Sequence, residues 1–205
     1  MASIHITGNT AIDALQTTVR ADYTHEQLEW AKDSRLILIT AHRRENLGEP
    51  MRHMFRAIKR IVEEHQDIKV IYPIHMNPVV RETANEILGN DDRIRIIEPL
   101  EVLDFHNFLA NSYLVLTDSG GIQEEAPSLG KPVLVLRDTT ERPEGIAAGT
   151  LRLVGTDEEN IYNNFKLLLE NEEEYRKMSQ ASNPYGDGKA SKRIADILEF
   201  GYTTV

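Results

Sequence analysis

The chain has 205 residues, 40% of them hydrophobic, with a formal net charge of −10. This length suits one α/β domain with its own core, and the acidic balance argues against a nucleic-acid-binding protein, which needs a basic face. The absence of cysteine excludes disulfides and thiolate chemistry, and no membrane span or signal peptide is visible, so a cytoplasmic protein is expected.

Short apolar runs recur along the chain, and residues 1–20 are the least regular part. There, Ile4–Thr7 is read as a short strand and 10–20 as a helix. Near-continuous apolar runs are typical of strands buried on both faces of a sheet. The six predicted strands are 35–41, 68–74, 93–98, 113–117, 132–136 and 151–154.

Helical patterns separate these runs. Residues 49–65 repeat apolar side chains at the spacing of one helix face, and Asn77 followed by Pro78 is typical of a helix start. Thr24 with Gln27, and Thr156 with Glu159, match the capping-box spacing. The closing helices are expected at 157–170, 171–181 and 189–200, with a loop at 183–188.

The alternation of strands and helices predicts a parallel sheet with helices on both faces. In open sheets of this kind, ligands bind beyond the carboxyl ends of the strands. The residues that follow each predicted strand are therefore the first candidates for a functional site.

The first strong strand is followed by His42, Arg43 and Arg44. Arginine offers paired, planar donors to phosphate oxygens, so this exit suits a phosphorylated ligand. A surface loop with ordinary Arg–Glu pairs explains the same residues equally well.

The strand at 113–117 is followed by Asp118-Ser119-Gly120-Gly121. Two glycines let backbone N–H groups approach an anion at the start of the next helix. The pattern is neither a dinucleotide-binding fingerprint nor a Walker motif, and a simple glycine turn is the alternative. Glu125 follows within that helix, where it either accepts ribose hydroxyls or is an ordinary exposed glutamate.

Other candidates are weaker. The loop 137–145, which contains Arg142, either closes on a ligand or is solvated. Phe105 is more often a core residue than a base-stacking platform, and His75 is more often structural. The histidines have no metal-ligand spacing, so no metal site is predicted, and no GxSxG element supports an acyl-transfer triad.

Taken in order, these signals resemble the C-terminal half of the non-hydrolysing UDP-N-acetylglucosamine 2-epimerases. The resemblance covers nearly the whole chain, and its last two stretches are highly specific. The matching stretches are Thr7-Gly8-Asn9, Thr40 to Asn46, Tyr72 to Pro78, Thr117 to Pro127, and Arg137 to Glu144.

The resemblance implies a Rossmann-like domain that forms one half of a glycosyltransferase-B architecture. It also implies roles for particular residues. Ser119, Gly120 and Gly121 would hold the diphosphate of UDP, Glu125 the ribose, and Phe105 and backbone groups near Leu100 the uracil. Arg142 and His42 would line the active site, with His42 as the catalytic candidate. Arg43 and His75 match positions that contact a second, allosteric UDP-N-acetylglucosamine.

The reaction of that family inverts C2 of the sugar by elimination and re-addition of UDP, without a cofactor. Its proton-transferring carboxylates belong to an N-terminal half that is missing here, so this chain alone is expected to be inactive. The implied organisation is a junction segment at 1–20, a UDP-binding domain at 21–188 and a crossing helix at 189–205. The full-length enzyme is expected to be a homodimer that supplies cell-envelope glycans.

Three alternatives stay open at this point: a non-catalytic nucleotide-binding module, a glycosyltransferase of the same architecture, and a hydrolysing epimerase. The run from Asp138 to Glu144 favours an epimerase over a transferase. A crossing helix that lacks its partner domain would leave Ile194, Ile197 and Leu198 to pack on this domain or on another copy, or to fray.

Overall fold

A computed structural model describes residues 4–200, in which six strands form one fully parallel sheet. The order across the sheet is β3-β2-β1-β4-β5-β6, so the chain adds strands first to one side of β1 and then to the other. The strands are β1 (Arg35–Thr40), β2 (Ile68–Pro73), β3 (Ile94–Ile97), β4 (Leu114–Thr117), β5 (Val133–Val135) and β6 (Leu151–Leu153). The predicted Rossmann-like fold is confirmed, and the reversal of strand order places a crevice at the carboxyl ends of β1 and β4.

Helices connect and cover the strands. A short 3-10 helix at Arg44–Asn46 follows β1. The α-helices are α1 (Thr10–Thr18), α2 (Glu26–Ala31), α3 (Glu49–Glu64), α4 (Pro78–Leu88), α5 (Val102–Asn111), α6 (Ile122–Ser128), α7 (Pro143–Ala148), α8 (Glu158–Glu170), α9 (Glu172–Ser179) and α10 (Ala190–Phe200).

The alternation of side chains along β1 divides the core between the two faces of the sheet. Ile37 and Ile39 point into a large cluster under α3, α4 and α8. Leu36 and Leu38 point into a smaller cluster under α2, α5 and α6. Because both faces are covered, the central strands β1, β4 and β5 are apolar at consecutive positions rather than at alternate ones.

Helix α3 shows how the sequence specifies the larger face. Gly48 precedes it with φ 87°, a conformation that favours glycine, and Pro50 occupies the first turn, where a missing N–H costs little. Its seven buried residues recur at helical spacing, and they are Met51, Met54, Phe55, Ala57, Ile58, Ile61 and Val62. This stripe is the one that the sequence predicts.

Two predicted helix starts and one predicted strand are wrong. Helix α2 is capped by His25 rather than Thr24, because the His25 imidazole accepts a hydrogen bond from Gln27 N. Helix α8 is capped by Asp157 rather than Thr156, because the Asp157 carboxylate accepts from Asn160 N. Residues 4–7 form no strand, since they pair with no neighbouring strand in the described chain.

The two ends of the described chain meet. The carboxylate of Asp13 in α1 accepts hydrogen bonds from Ala190 N and Ser191 N and so caps α10. Helix α10 buries Ala190 but leaves Leu198 81% and Phe200 70% exposed. The boundaries at 20 and 188 stay predictions, and parts of the two end segments, 1–3 and 201–205, lie outside the described residues.

Candidate functional site

The Asp118 carboxylate organises the carboxyl edge of the sheet between β1 and β4. It is fully buried, and its Oδ2 accepts hydrogen bonds from His42 N at 2.9 Å, Arg43 N at 2.8 Å and Asn46 Nδ2 at 3.1 Å. Its Oδ1 has no hydrogen bond and lies 3.6 Å from His42 Nδ1. One buried carboxylate therefore fixes the turn after β1 and directs a free oxygen at the His42 ring.

The His42 ring also stacks on His75, which follows β2. The ring centroids are 5.2 Å apart and the planes differ by 7°. His75 Nδ1 accepts a hydrogen bond from Asn77 N, which fixes its ring at the start of α4. The structure thus brings together the histidines that follow the first two strands, although they are 33 positions apart in the sequence.

Two guanidinium groups converge on the glycine turn after β4. A Cβ added to Gly120 would lie 3.8 Å from Arg142 Nη2 and 3.9 Å from Arg43 Nη2. The Arg43 side chain is held there because its Nε donates to Asp118 O at 3.0 Å. The space above Gly120 is therefore flanked by two positive charges, which suits an anionic ligand.

Arg142 is positioned by contacts from several parts of the chain. Its Nε donates to the Glu124 carboxylate, which also accepts from Asn9 Nδ2 near the N-terminus. Its backbone N donates to Thr140 Oγ1, and Thr140 in turn donates to Gln123 Oε1 at 2.5 Å. The loop that carries Arg142 is thus attached to α6 through Arg142 and Thr140, while most of its other residues are exposed.

Glu125 lies in α6 beside the same turn. A Cβ added to Gly121 would be 3.8 Å from Glu125 Oε1. Burial, with a smaller contribution from the neighbouring Glu124 charge, raises the pKa of Glu125 to about 7. Its Oε2 lies 3.7 Å from Nε2 of His106, a buried histidine of α5 whose pKa is lowered by burial. Near pH 7 the Glu125 side chain is therefore partly protonated, unlike that of an ordinary surface glutamate.

Phe105 and Leu100 lie on the same side of the sheet as Glu125. Both are partly buried and pack against the smaller core cluster, which includes Ala126 of α6. Phe105 immediately precedes His106 in α5. Their predicted contact with a base stays a prediction.

The structure brings most of the predicted residues together around the crevice between β1 and β4. Ser119 N donates to Thr117 Oγ1 at the start of the turn. Arg43 lies beside Gly120, next to the predicted diphosphate residues, as well as near His42. Helix α6 has seven residues. Its N-terminal end therefore contributes less to anion binding than the sequence suggests. In the part of the chain that the structure describes, no group of His, Asp or Glu is placed to hold a metal ion.

Three positioning residues escaped the sequence analysis: Asp118, Glu124 and His106. Each acts on a residue far along the chain, for example Asp118 on His42 and Glu124 on Asn9. The available signal was an aspartate directly after a buried strand and two positions before a pair of glycines. None of the helices within residues 4–200 is long and apolar enough to cross a membrane.

Known proteins resemble this chain along nearly its whole length. A protein from Bacillus subtilis named UDP-N-acetylglucosamine 2-epimerase is 67% identical over 200 residues, covering 98% of this chain and 53% of that protein. The structure of S. aureus MnaA with UDP superposes with a TM-score of 0.92 at 56% identity, covering 95% of this chain and 53% of that one. The Neisseria meningitidis UDP-GlcNAc 2-epimerase bound to UDP-GlcNAc superposes with a TM-score of 0.87 at 46% identity, covering 94% and 54%.

A more distant structure supports the architecture alone. The C-terminal domain of a group 1 glycosyl transferase from Francisella tularensis is 16% identical with a TM-score of 0.61, and 87% of this chain covers 97% of that domain. The two proteins therefore share a Rossmann-like fold. The chain spans about half the length of the curated relatives it matches.

The matches therefore cover nearly all of this chain and about half of its relatives, which agrees with a C-terminal portion. A family model described as UDP-N-acetylglucosamine 2-epimerase matches residues 1–199. The matched range includes both arginines at the glycine turn and the loop that holds Arg142. The chain belongs to the UDP-N-acetylglucosamine 2-epimerase family.

Proposed function

We propose that this chain binds the UDP part of UDP-N-acetylglucosamine and forms the C-terminal half of a non-hydrolysing 2-epimerase. The observation that carries the proposal is the convergence of Arg43 and Arg142 on Gly120. A diphosphate above the turn would be bound by two guanidinium groups and by backbone N–H groups of Ser119, Gly120 and Gly121. Relatives solved with UDP and with UDP-GlcNAc support this ligand.

The same charges suit the chemistry of the family. Cleavage of the bond between the sugar and the β-phosphate leaves negative charge on a phosphate oxygen. Guanidinium groups that are already in position stabilise such charge without reorganisation, which lowers the barrier. In this role Arg142 is the principal group, because Glu124 and Thr140 fix its position.

His42 is the catalytic candidate of this half. Its ring is exposed by 42% and faces the open edge of the crevice, while the buried Oδ1 of Asp118 lies behind it. A carboxylate behind an imidazole orients the ring. His42 is therefore suited to hold a proton near the sugar or the β-phosphate, although the groups that act at C2 belong to the other half.

The nucleoside would lie on the side of the crevice near α5 and α6. Glu125 would accept the two ribose hydroxyls, and Phe105 would pack on the uracil, with the backbone near Leu100 at the edge of the base. The support is the position of Glu125 directly beside Gly121.

The remaining features concern the longer protein. We expect 1–20 to form the interdomain junction, 21–188 the UDP-binding domain and 189–205 a helix that crosses to an N-terminal domain with the catalytic carboxylates. The exposed Leu198 and Phe200 support the crossing helix. The full enzyme is expected to be a cytoplasmic homodimer, and Arg43 and His75 to contact an allosteric UDP-N-acetylglucosamine.

A calorimetric titration of the purified chain with UDP tests the proposal, followed by an assay with UDP-N-acetylglucosamine. Saturable binding without turnover is the expected result. Turnover to the manno epimer would show that the catalytic groups lie within this half. If this chain does not bind UDP but a longer version that includes the other half does, UDP binding requires both domains.

A non-catalytic nucleotide-binding module is the second candidate, and the complete anion site without the family's carboxylates favours it for this chain in isolation. The two candidates separate when the N-terminal half of a relative is added in trans. Restored epimerase activity supports the enzyme half, and UDP binding that never leads to activity supports the module.

A further inference from the structure

A buried histidine lies directly behind the carboxylate that is proposed to hold the ribose. His106 of α5 is 4% exposed, and its Nε2 is 3.7 Å from Glu125 Oε2. That separation is within ion-pair range but longer than a hydrogen bond, so a small rotation of Glu125 brings the two atoms into contact. His106 has no place among the residues proposed above to touch UDP.

The hydrogen bonds on the far side of the ring determine where its proton lies. His106 Nδ1 is 2.7 Å from Thr18 Oγ1, and the Thr18 hydroxyl is also 3.0 Å from Ala14 O. A carbonyl oxygen only accepts, so every group is satisfied when the Thr18 hydroxyl donates to Ala14 O and His106 Nδ1 donates to Thr18 Oγ1. In this tautomer the neutral ring presents an unprotonated Nε2 to Glu125.

An unprotonated Nε2 facing an ionised carboxylate would place two lone pairs against each other in a buried site. The arrangement is satisfied when the pair holds one proton, either as a neutral carboxyl that donates to Nε2 or as an imidazolium beside a carboxylate. Burial favours the uncharged form of both groups, which is the direction of both shifted pKa values. In the free protein the proton therefore belongs mainly to Glu125.

We propose that His106 is a positioning residue for ribose recognition, which takes the shared proton from Glu125 when a nucleotide binds. Two ribose hydroxyls that donate to Glu125 favour its ionised form. The proton then moves from Glu125 Oε2 to His106 Nε2, the carboxylate keeps its negative charge, and the imidazolium remains paired with it. No proton enters or leaves the protein in this step. The inference rests on the proposed UDP binding.

The other charged groups on the three surrounding helices are engaged elsewhere. On α1, Asp13 accepts hydrogen bonds from the first residues of α10. On α5, Asp104 accepts from the Tyr23 hydroxyl at 2.6 Å. On α6, Glu124 is paired with Arg142, and its charge is the one that acts on Glu125. His106 is thus the ionisable side chain of these helices that contacts Glu125.

The first experiment tests the pair in the free protein. The His106 ring is followed by nitrogen NMR from pH 5 to 9 in the wild-type chain and in Glu125→Gln. A shared proton makes the His106 titration depend on Glu125, so the curve shifts in the variant, while the ring of the exposed His53 does not change. An unchanged His106 curve would overturn the inference and leave the proposed UDP binding untouched.

The second experiment tests the ligand. UDP is compared with 2′,3′-dideoxyuridine 5′-diphosphate by calorimetry at pH 6.5 and 8.5, and the His106 ring is observed with each ligand. We expect His106→Leu to lose about tenfold in UDP affinity at pH 6.5, the size of one charged hydrogen-bonding group, and less at pH 8.5, where Glu125 ionises unaided. The dideoxy ligand should be affected less than twofold, and His106→Gln, which keeps a donor, should recover part of the loss.

With UDP at pH 6.5, both ring nitrogens of His106 should be protonated, and with the dideoxy ligand they should not. Equal binding of UDP by His106→Leu and wild type, or a neutral ring in the UDP complex, would overturn the inference. His53→Leu, the same substitution on the exposed side of α3, is the control. A wild-type chain that shows the linked titration but does not bind UDP would instead refute the proposed function.

Discussion

The two faces of the sheet bury different kinds of side chain. Under α3, α4 and α8 the buried side chains are almost entirely apolar, and the buried Thr83 there donates back to its own helix. Under α5 and α6 the apolar cluster is smaller, and His106, Asn107, Ser112 and Gln123 are buried beside it. The polar side chains on this second face contact the crevice between β1 and β4 or the helices that line it.

This difference predicts that one face mainly determines the stability of the protein and the other mainly determines ligand recognition. Apolar burial is non-directional, so the first face tolerates many arrangements that fill the same volume. Buried polar groups need particular partners, so the second face specifies where Glu125, Arg142 and their neighbours lie. We therefore expect substitutions on the first face to change the free energy of unfolding and those near the crevice to change UDP affinity.

The largest expected effect is on the first face. Phe55→Ala in α3 removes a fully buried ring that packs against Tyr72 with centroids 5.7 Å apart. It should lower the free energy of unfolding by about 3–5 kcal/mol, measured by urea denaturation. UDP affinity of the fraction that remains folded should not change. A specific loss of UDP affinity without loss of stability would contradict the division between the two faces.

Arg142→Ala should have the converse effect. Loss of a charged donor to the diphosphate is expected to weaken UDP binding by about 1.5–3 kcal/mol, measured by calorimetry, with a small change in unfolding. Arg81→Ala is the matched control, because Arg81 is bound to Glu98 at the protein surface. Equal effects of both substitutions on UDP binding would show that general positive charge, rather than the Arg142 position, attracts the ligand.

Glu125→Gln should affect both properties, with a pH dependence that separates them. The folded protein holds a proton on Glu125 up to a pKa of about 7, whereas an unfolded chain releases it near 4.5. The folded state therefore binds more protons between these values, and wild-type stability falls as pH rises through that window.

The glutamine variant lacks this loss. It should be more stable than wild type by about 1–2 kcal/mol at pH 8, allowing for solvent screening, and equally stable at pH 4. Urea midpoints at the two pH values measure the difference, and UDP affinity should fall at both. If the stability difference between wild type and Glu125→Gln is the same at both pH values, the pKa of Glu125 is not raised in the folded protein.

The smallest effect is expected in α10. Leu198→Ser should change the stability of this chain by less than about 0.5 kcal/mol, because Leu198 is 81% exposed. Amide exchange in α10 should also be faster than in α3. The same substitution in a longer chain with the N-terminal half should be destabilising if the helix crosses between domains. Strong protection of α10 in a dilute monomer would count against that crossing.

The predicted strands agree with the structure to within one residue at every end, because burial on both faces makes the central strands continuous apolar runs. The helix caps of α2 and α8 were displaced by one residue, since His25 and Asp157 compete with the neighbouring threonines and their side chains make the bond. Ile4–Thr7 alternates like a strand, but Ile4 and Ile6 are over 90% exposed and no strand edge is adjacent.

Within the site, sequence order identified the groups at the strand exits but not the contacts that position them. Asp118 and His42 are separated by 76 residues, and Glu124 and Asn9 by 115. A local pattern does not contain such pairings, which arise only when the sheet forms. The proposed sharing of a proton between His106 and Glu125 likewise depends on the contact of His106 with Thr18 of α1.

The contact between Asn9 and Glu124 has a practical consequence for N-terminally truncated versions of this protein. A shortened version that begins after α1 would retain all six strands of the sheet. It would nevertheless lose one of the two partners that hold Glu124 and, through it, the Arg142 side chain. Fragment boundaries chosen from the sheet alone would therefore yield a folded protein with a loosened anion site, and inhibitor screens on such a fragment would miss ligands that need Arg142 in place.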